Sequence, residues 1–256
     1  MKFTIGLVII FLTVLGSCSQ PLTHLEQIKQ RGELIVLSRY SPTTYHKKGD
    51  HLVGLEYELA QQFSQRLGVK LKVVIPDNLS DMIHLLELNK ADIAAAGLTV
   101  TPKREKSIHF GPVYQEATQQ LVYRQGNNRP KSLTALNGGL LEVVADSSHV
   151  EQLQQHRNDI RKLKWTTNKL LDSSRLLELV QLEMIDYTIA DSNEITAHRN
   201  LLPELRVAFD VSEPQPLAWA MSLSEDKSLS DEVTLFFEDI TATEKLDRLI
   251  EKYYGH

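Results

Sequence analysis

Thr99, Arg104 and Asp191 are the residues whose types and positions point to chemistry in this chain. The apolar run Ile93 to Leu98 reads as a strand, with Gly97-Leu98-Thr99 at its carboxyl end. Thr101 before Pro102 is the pattern of a helix start, threonine as N-cap and proline at the first helical position, so Arg104 is predicted in the first turn. Free backbone N–H groups, the positive end of the helix dipole and a guanidinium would then converge beside the strand end, a setting suited to a carboxylate. A charge-assisted arginine–carboxylate bond of this kind is worth about 1.5–3 kcal/mol. The bland alternative is that Lys103, Arg104 and Lys106, the densest basic cluster, form a solvated helix face. Asp191 offers the complementary charge at another strand end, for a ligand ammonium, or else caps the helix that Asp191-Ser192-Asn193 opens. Asp146-Ser147-Ser148-His149 follows a strand from Leu141 to Ala145, so Ser147 and Ser148 are candidates to line the same space, while the lone His149 reads as a solvated residue. Tyr40 and Tyr45, beyond the first strand, are candidates for packing against a ligand, with a core or rim role equally open.

The elements that must position these side chains follow a βα rhythm. Leu25 to Arg31 reads as a short helix stopped by Gly32, then a strand from Leu34 to Ser38. Leu55, Leu59, Phe63 and Leu67 recur every four positions between Gly54 and Gly68, as in a helix with a glycine C-cap. Val69, Leu71, Val73 and Ile75 alternate as in a strand, and Asp81 to Asn89 reads as the next helix. Strands spaced by such helices predict a mostly parallel sheet covered on both faces. Leu85 through Gly97 aligns without a gap against Leu179 through Asp191, which predicts a second, similarly built lobe. Ligands of open α/β sheets bind at strand carboxyl ends, so Gly97, Thr99 and Asp191 are expected to face one cleft. The extended stretches Gln119 to Arg124 and Arg206 to Val211 are the candidate hinges, and two helices, Ser230 to Ile240 and Thr243 to Tyr254, close the chain. The expected division is residues 1–17 as leader, 18–118 as the first part of lobe one, 119–211 as lobe two and 212–256 as the return to lobe one.

With 256 residues and 42% hydrophobic content the chain can bury one large core or two medium ones. A net charge of -5 with no long run of one sign argues against nucleic acid as a partner. Met1 and Lys2 precede the apolar run Ile5 to Leu15, short for a bilayer span and suited to a signal peptide. Leu15-Gly16-Ser17-Cys18 then resembles the lipobox of bacterial lipoproteins, and Cys18 is the single cysteine. Lipidation at Cys18 would hold the protein on a membrane surface without spanning it, and Ser19 in the next position points to the outer membrane of the periplasm. No Gly-x-Ser-x-Gly elbow, phosphate-cradling loop or His-Glu-x-x-His motif occurs, and nine histidines are scattered without ligand spacing. Neither a metal nor a cofactor is expected, and the chain reads as a binder of a small ligand with no catalytic residues of its own.

Arg31-Gly32-Glu33-Leu34, Gly54-Leu55-Glu56-Tyr57-Glu58-Leu59-Ala60 and Ala91 through Arg104 resemble the family 3 extracellular solute-binding proteins, which include amino-acid receptors of ABC transporters. The resemblance implies a type II periplasmic-binding-protein fold, an α/β fold of two lobes with a ligand cleft between them. It also implies that Thr99 and Arg104 hold an α-carboxylate and Asp191 an α-ammonium. Gly111-Pro112-Val113-Tyr114, Asp186 through Ser192 and Glu251 through His256 further resemble the binding domain of the membrane-bound lytic murein transglycosylases F. Those proteins carry it ahead of a lysozyme-like domain, and this resemblance implies a sensor of muropeptide stems. No Glu-Ser pair, the usual setting of that domain's acid, occurs here, so a separately encoded transglycosylase domain is a candidate partner. Asp146-Ser147-Ser148 stands where many amino-acid receptors have a glycine-containing turn, and Leu79 where they often place an aromatic clamp. A transporter receptor and the front part of a split transglycosylase are the competing readings.

Overall fold

The computed structural model describes residues 21–136, 138–160 and 163–255; the leader and Cys18 lie outside them. The first half runs α1 (His24–Arg31), β1 (Glu33–Leu37), β2 (His46–Lys48), β3 (His51–Val53), α2 (Leu55–Leu67), β4 (Lys70–Val74), α3 (Leu79–Glu87), β5 (Ile93–Thr99) and β6 (Ile108–Ala117). Then follow β7 (Gln119–Arg124), β8 (Glu142–Val144), α4 (Ser148–Asp159), β9 (Thr166–Asn168), α5 (Ser173–Gln181), β10 (Tyr187–Asp191), α6 (Ser192–His198) and β11 (Leu205–Asp210). The chain closes with β12 (Gln215–Ser222), α7 (Ser228–Ala242) and α8 (Lys245–Tyr254).

One sheet has the order β4-β1-β5-β12-β6 and another β10-β7-β11. In the first, β4, β1 and β5 are parallel and β12 runs antiparallel to both its neighbours, β5 and β6, so a single reversed strand makes the sheet mixed. The reversed strand is not part of a βα unit: β6 leads the chain out of the lobe, and β12 returns to it between β5 and β6. Gln119 to Arg124 and Arg206 to Val211, expected as hinges, are for the most part paired strands of the second sheet. The crossings between sheets are the short links from Ala117 to Gln119 and from Asp210 to Gln215.

Both faces of the first sheet are buried. Phe63, Trp219, Phe236 and Phe237 pack on one side with Leu34 and Leu59, and Met82, Leu86, Ala94, Leu98 and Ile108 on the other. Ala94, Ala95 and Ala96 are therefore all buried in β5, without the alternation of a half-solvated strand. Trp219 meets Phe63 and Phe237 edge-on at centroid distances of 5.8 and 5.0 Å, contacts worth about 0.5–1.5 kcal/mol each beyond burial.

The internal repeat is visible in detail. Helices α3 and α5 both have nine residues, capped by Asn78 and Asp172 through the N–H groups of Asp81 and Arg175. Asn89 and Glu183, which the ungapped alignment pairs, both take left-handed φ values, 52° and 60°. Asp92 and Asp186, paired likewise, accept the backbone N–H groups of Ile35 and Leu140 at 2.7 Å each. The two units therefore deliver Gly97 and Asp191 to matching strand ends.

Candidate functional site

Between the lobes lies a cleft of about 1090 Å³, its open mouth included, lined by Arg39, Gly97, Thr99, Arg104, Ser148 and Asp191 among others. Gly97 ends the regular part of β5 with a φ of 62°, and its N–H donates to the buried Glu56 carboxylate at 2.9 Å. The left-handed φ is what favours glycine at position 97, since a Cβ there would meet an Arg39 guanidinium nitrogen only at an ordinary 3.5 Å; Arg39 lies along the strand end, where its Nε donates to the Ala96 carbonyl at 2.9 Å.

Arg104 does not open a helix. The segment between β5 and β6 is too short for one, and Arg104–Lys106 forms a single 3-10 turn. Thr101 still acts as a cap, its Oγ1 accepting the Arg104 N–H at 3.3 Å. Nor is Arg104 part of a solvated face: it is 7% exposed, with Nη1 donating to the Thr99 carbonyl at 2.8 Å, while Lys103 and Lys106 are exposed. Burial lowers the Arg104 pKa from the usual guanidinium value; Glu151 and Asp191 oppose the shift and Arg39 adds to it. Within 4.0 Å its nitrogens meet no carboxylate among the described residues.

The second lobe supplies the helix N-terminus that the first does not. Ser147 is the N-cap of α4 but its Oγ turns back to the Val144 carbonyl at 2.7 Å, so no side chain caps the first amides of α4 beside the cleft. Ser148 Oγ lies 3.1 Å from Thr99 Oγ1 across the cleft and accepts from Gln119 Nε2 at 3.1 Å. Ser80 Oγ donates to Asp146 Oδ2 at 2.6 Å in a second cross-lobe bond.

Asp191 occupies the N-cap position of α6 without a side-chain cap bond; its Oδ1 instead faces His149 Nε2 at 3.1 Å. His149 is therefore not solvated but 4% exposed, drawn in because the first turn of α4 packs beside the end of β10. Burial opposes ionisation of Asp191, yet the bond and charge of His149, with Arg39 and Arg104, hold its pKa below the usual carboxylate value. Tyr40 stands at the cleft mouth, 55% exposed. Tyr45 lies outside the residues lining the cleft and packs edge-on against Tyr57 at 5.6 Å, in the turn where it bridges back to Tyr40. Thr99, Arg104, Gly97, Ser147, Ser148 and Asp191 thus come together.

Sequence reasoning passed over Arg39 and Glu194 and misread His149 as solvated. Arg39 pairs with Glu194 of α6, which is 1% exposed. Burial works against the charge of Arg39, and Glu194, Asp191 and Asp172 outweigh it, raising its pKa. Its signal was available, for Ser38-Arg39-Tyr40 stands at a strand carboxyl end like Thr99.

The geometry matches known proteins. The family model of bacterial extracellular solute-binding proteins, family 3, matches residues 33–256. A membrane-bound lytic murein transglycosylase F 1 of Alkalilimnicola ehrlichii is 42% identical over 238 residues, 93% of this chain and 48% of the relative. The transglycosylase F of Saccharophagus degradans is 42% identical over 91% of this chain and 47% of its own length. The chain thus spans about half the length of the curated relatives it matches. Among solved structures, a mutant of ArgBP from T. maritima superposes with a TM-score of 0.81 at 24% identity, covering 91% of this chain and 99% of that one. The ancestral amino acid-binding protein AncCDT-1 gives 0.79 at 24% identity, with 90% and 99% covered. The chain, with its type II solute-binding fold, belongs to the bacterial extracellular solute-binding proteins of family 3 and is homologous to the N-terminal part of the lytic murein transglycosylases F.

Proposed function

We propose that the cleft closes on a small ligand bearing a carboxylate, an amino-acid-like molecule or a peptidoglycan stem peptide, and that Arg104 receives the carboxylate. The observation that carries this reading is a buried guanidinium with no carboxylate partner among the described residues, lining a cleft beside the uncapped first amides of α4. A buried charge with no carboxylate in direct contact is costly even with Glu151 and Asp191 nearby, and a ligand carboxylate relieves that cost. Thr99 and Ser148 bring a hydroxyl from each lobe, so a ligand bonded to both ties the lobes together. Closure is favoured by as much as the ligand prefers the closed form.

In this reading the domain is a periplasmic sensor of the transglycosylase F type, contributing binding rather than bond cleavage. Its support is the match to only the solute-binding half of those relatives, which are named membrane-bound. No helix of the described residues is long and apolar enough to cross a membrane, and the Leu15-Gly16-Ser17-Cys18 motif supports a lipid anchor at Cys18 in the outer membrane. The partner is then a transglycosylase domain on the same or a separate chain. Calorimetric titration with amino acids and stem peptides tests the site: binding by the wild type and its loss in Arg104→Ala are expected. Unchanged binding in Arg104→Ala overturns the assignment.

A further inference from the structure

We infer that the pole of the first lobe around His24 lies against a lipid surface, with Leu22, Leu88 and Leu223 in the interfacial layer and the ligand cleft turned away from the membrane. This rests on the reading that Cys18 carries a lipid anchor.

The start of α1 is fixed to that pole. Thr23 and Glu26 form a capping box, the His24 N–H donates to Asp226 Oδ2 at 2.5 Å, and the Leu25 N–H donates to Ser228 Oγ at 3.1 Å. His24 Nε2 lies 2.9 Å from Asp92 Oδ1, and the same buried carboxylate holds Arg31 and the Ile35 N–H. Asp92 directly precedes β5, and Asp226 lies between β12 and α7. Because β12 runs antiparallel to β5, both aspartates stand at the end of the sheet opposite the cleft. The seven residues of β5 carry the chain about 20 Å from that end to Thr99. Leu22 is four residues after Cys18, and a chain of that length reaches about 14 Å at most. An acyl group on Cys18 therefore brings the lipid surface to this pole and leaves the cleft beyond its reach.

Three exposed leucines mark the segments that meet there. Leu22 stands two residues before His24, Leu88 at the C-cap of α3 in the turn that carries Asp92, and Leu223 just after β12 in the loop that carries Asp226. Exposed leucines by themselves are ordinary, and the matching turn of the second lobe exposes Leu182 and Met184. The tether is what separates the two poles. An anchor so close raises the effective concentration of lipid at the first lobe's leucines, and apolar side chains at an interface add to the hold of an acyl chain. Glu87 and Lys90 beside Leu88, with Glu225 and Lys227 after Leu223, are all exposed. That balance of charge suits zwitterionic headgroups better than an acidic polymer.

The test uses the full chain, processed in the cell and reconstituted with vesicles of phosphatidylcholine and phosphatidylethanolamine. Flotation of the wild type with the vesicles reports the anchor. An environment-sensitive fluorophore is then placed on Leu88→Cys, Leu223→Cys, Tyr40→Cys and Leu182→Cys, each an exposed position at which substitution spares the fold. On Leu88→Cys and Leu223→Cys the emission is expected to shift to the blue on reconstitution and to be quenched by quenchers carried on the acyl chains. On Tyr40→Cys at the cleft mouth and on Leu182→Cys at the second lobe's pole it is expected to stay that of a probe in water. A wild type that floats while the probes on Leu88→Cys and Leu223→Cys remain in water overturns the inference and leaves the anchor standing. Quenching on Tyr40→Cys or Leu182→Cys equal to that on Leu88→Cys overturns the orientation. A wild type that does not float overturns the anchor and the inference with it.

Discussion

Arg39 at the carboxyl end of β1 and Glu194 in α6 form an ion pair that joins the two lobes beside the cleft, the glutamate 1% exposed and the arginine 24%. A pair in this position stabilises the closed arrangement because opening would leave a buried carboxylate without its counterion. Arg39→Ala is expected to cost about 3 kcal/mol, read as a lower urea midpoint, and to enlarge the particle in small-angle scattering. A variant as stable and as compact as the wild type contradicts this role.

Glu56 gives a pH-dependent signature. Its carboxylate accepts from Gly97 N–H, from Trp219 Nε1–H at 2.7 Å and from the Tyr114 hydroxyl. Burial nonetheless raises its pKa from 4.5, against the pull of those bonds and of Arg39. An acid with a raised folded-state pKa contributes its stability fully below the unfolded value, and that contribution is lost as pH rises through the folded-state pKa. Wild-type stability relative to Glu56→Gln should therefore fall as pH rises above the ordinary carboxylate value of 4.5 in parallel urea titrations. A constant difference would show that Glu56 does not titrate in this range.

Gly54 precedes α2 at a φ of 136°, and a Cβ there would collide with the Thr44 carbonyl. Its N–H donates to the Tyr253 hydroxyl at 3.0 Å, tying α8 to the turn. Gly54→Ala should destabilise by about 2 kcal/mol, seen as a lower melting temperature. No change would mean that the turn after β3 adapts freely.

Leu170 lines the cleft while 84% exposed, so it contributes little to the folded core. Leu170→Ser should leave stability within about 0.5 kcal/mol of wild type and weaken ligand binding. Unchanged affinity in titration would place the bound ligand deeper than the mouth.

Local patterns carried the fold. The spacing of Leu55, Leu59, Phe63 and Leu67 announced α2, and the ungapped match of Leu85 to Gly97 with Leu179 to Asp191 announced a repeat whose left-handed Asn89 and Glu183 coincide in the structure. Family membership, too, was legible from Gly54 through Ala60 and Ala91 through Arg104. What was not legible is pairing over distance. Arg39 meets Glu194, and His149 meets Asp191, through the packing of separate βα units, which no local pattern encodes. Arg104 shows the opposite error, a true capping signal at Thr101 in a loop with room for one turn.

The central claim, that Arg104 receives a ligand carboxylate, is tested most directly by a crystal structure of the protein with the tightest ligand from the titration with amino acids and stem peptides. The account predicts a carboxylate bonded to the Arg104 guanidinium and to the first amides of α4. A ligand whose carboxylate lies away from Arg104 would contradict it.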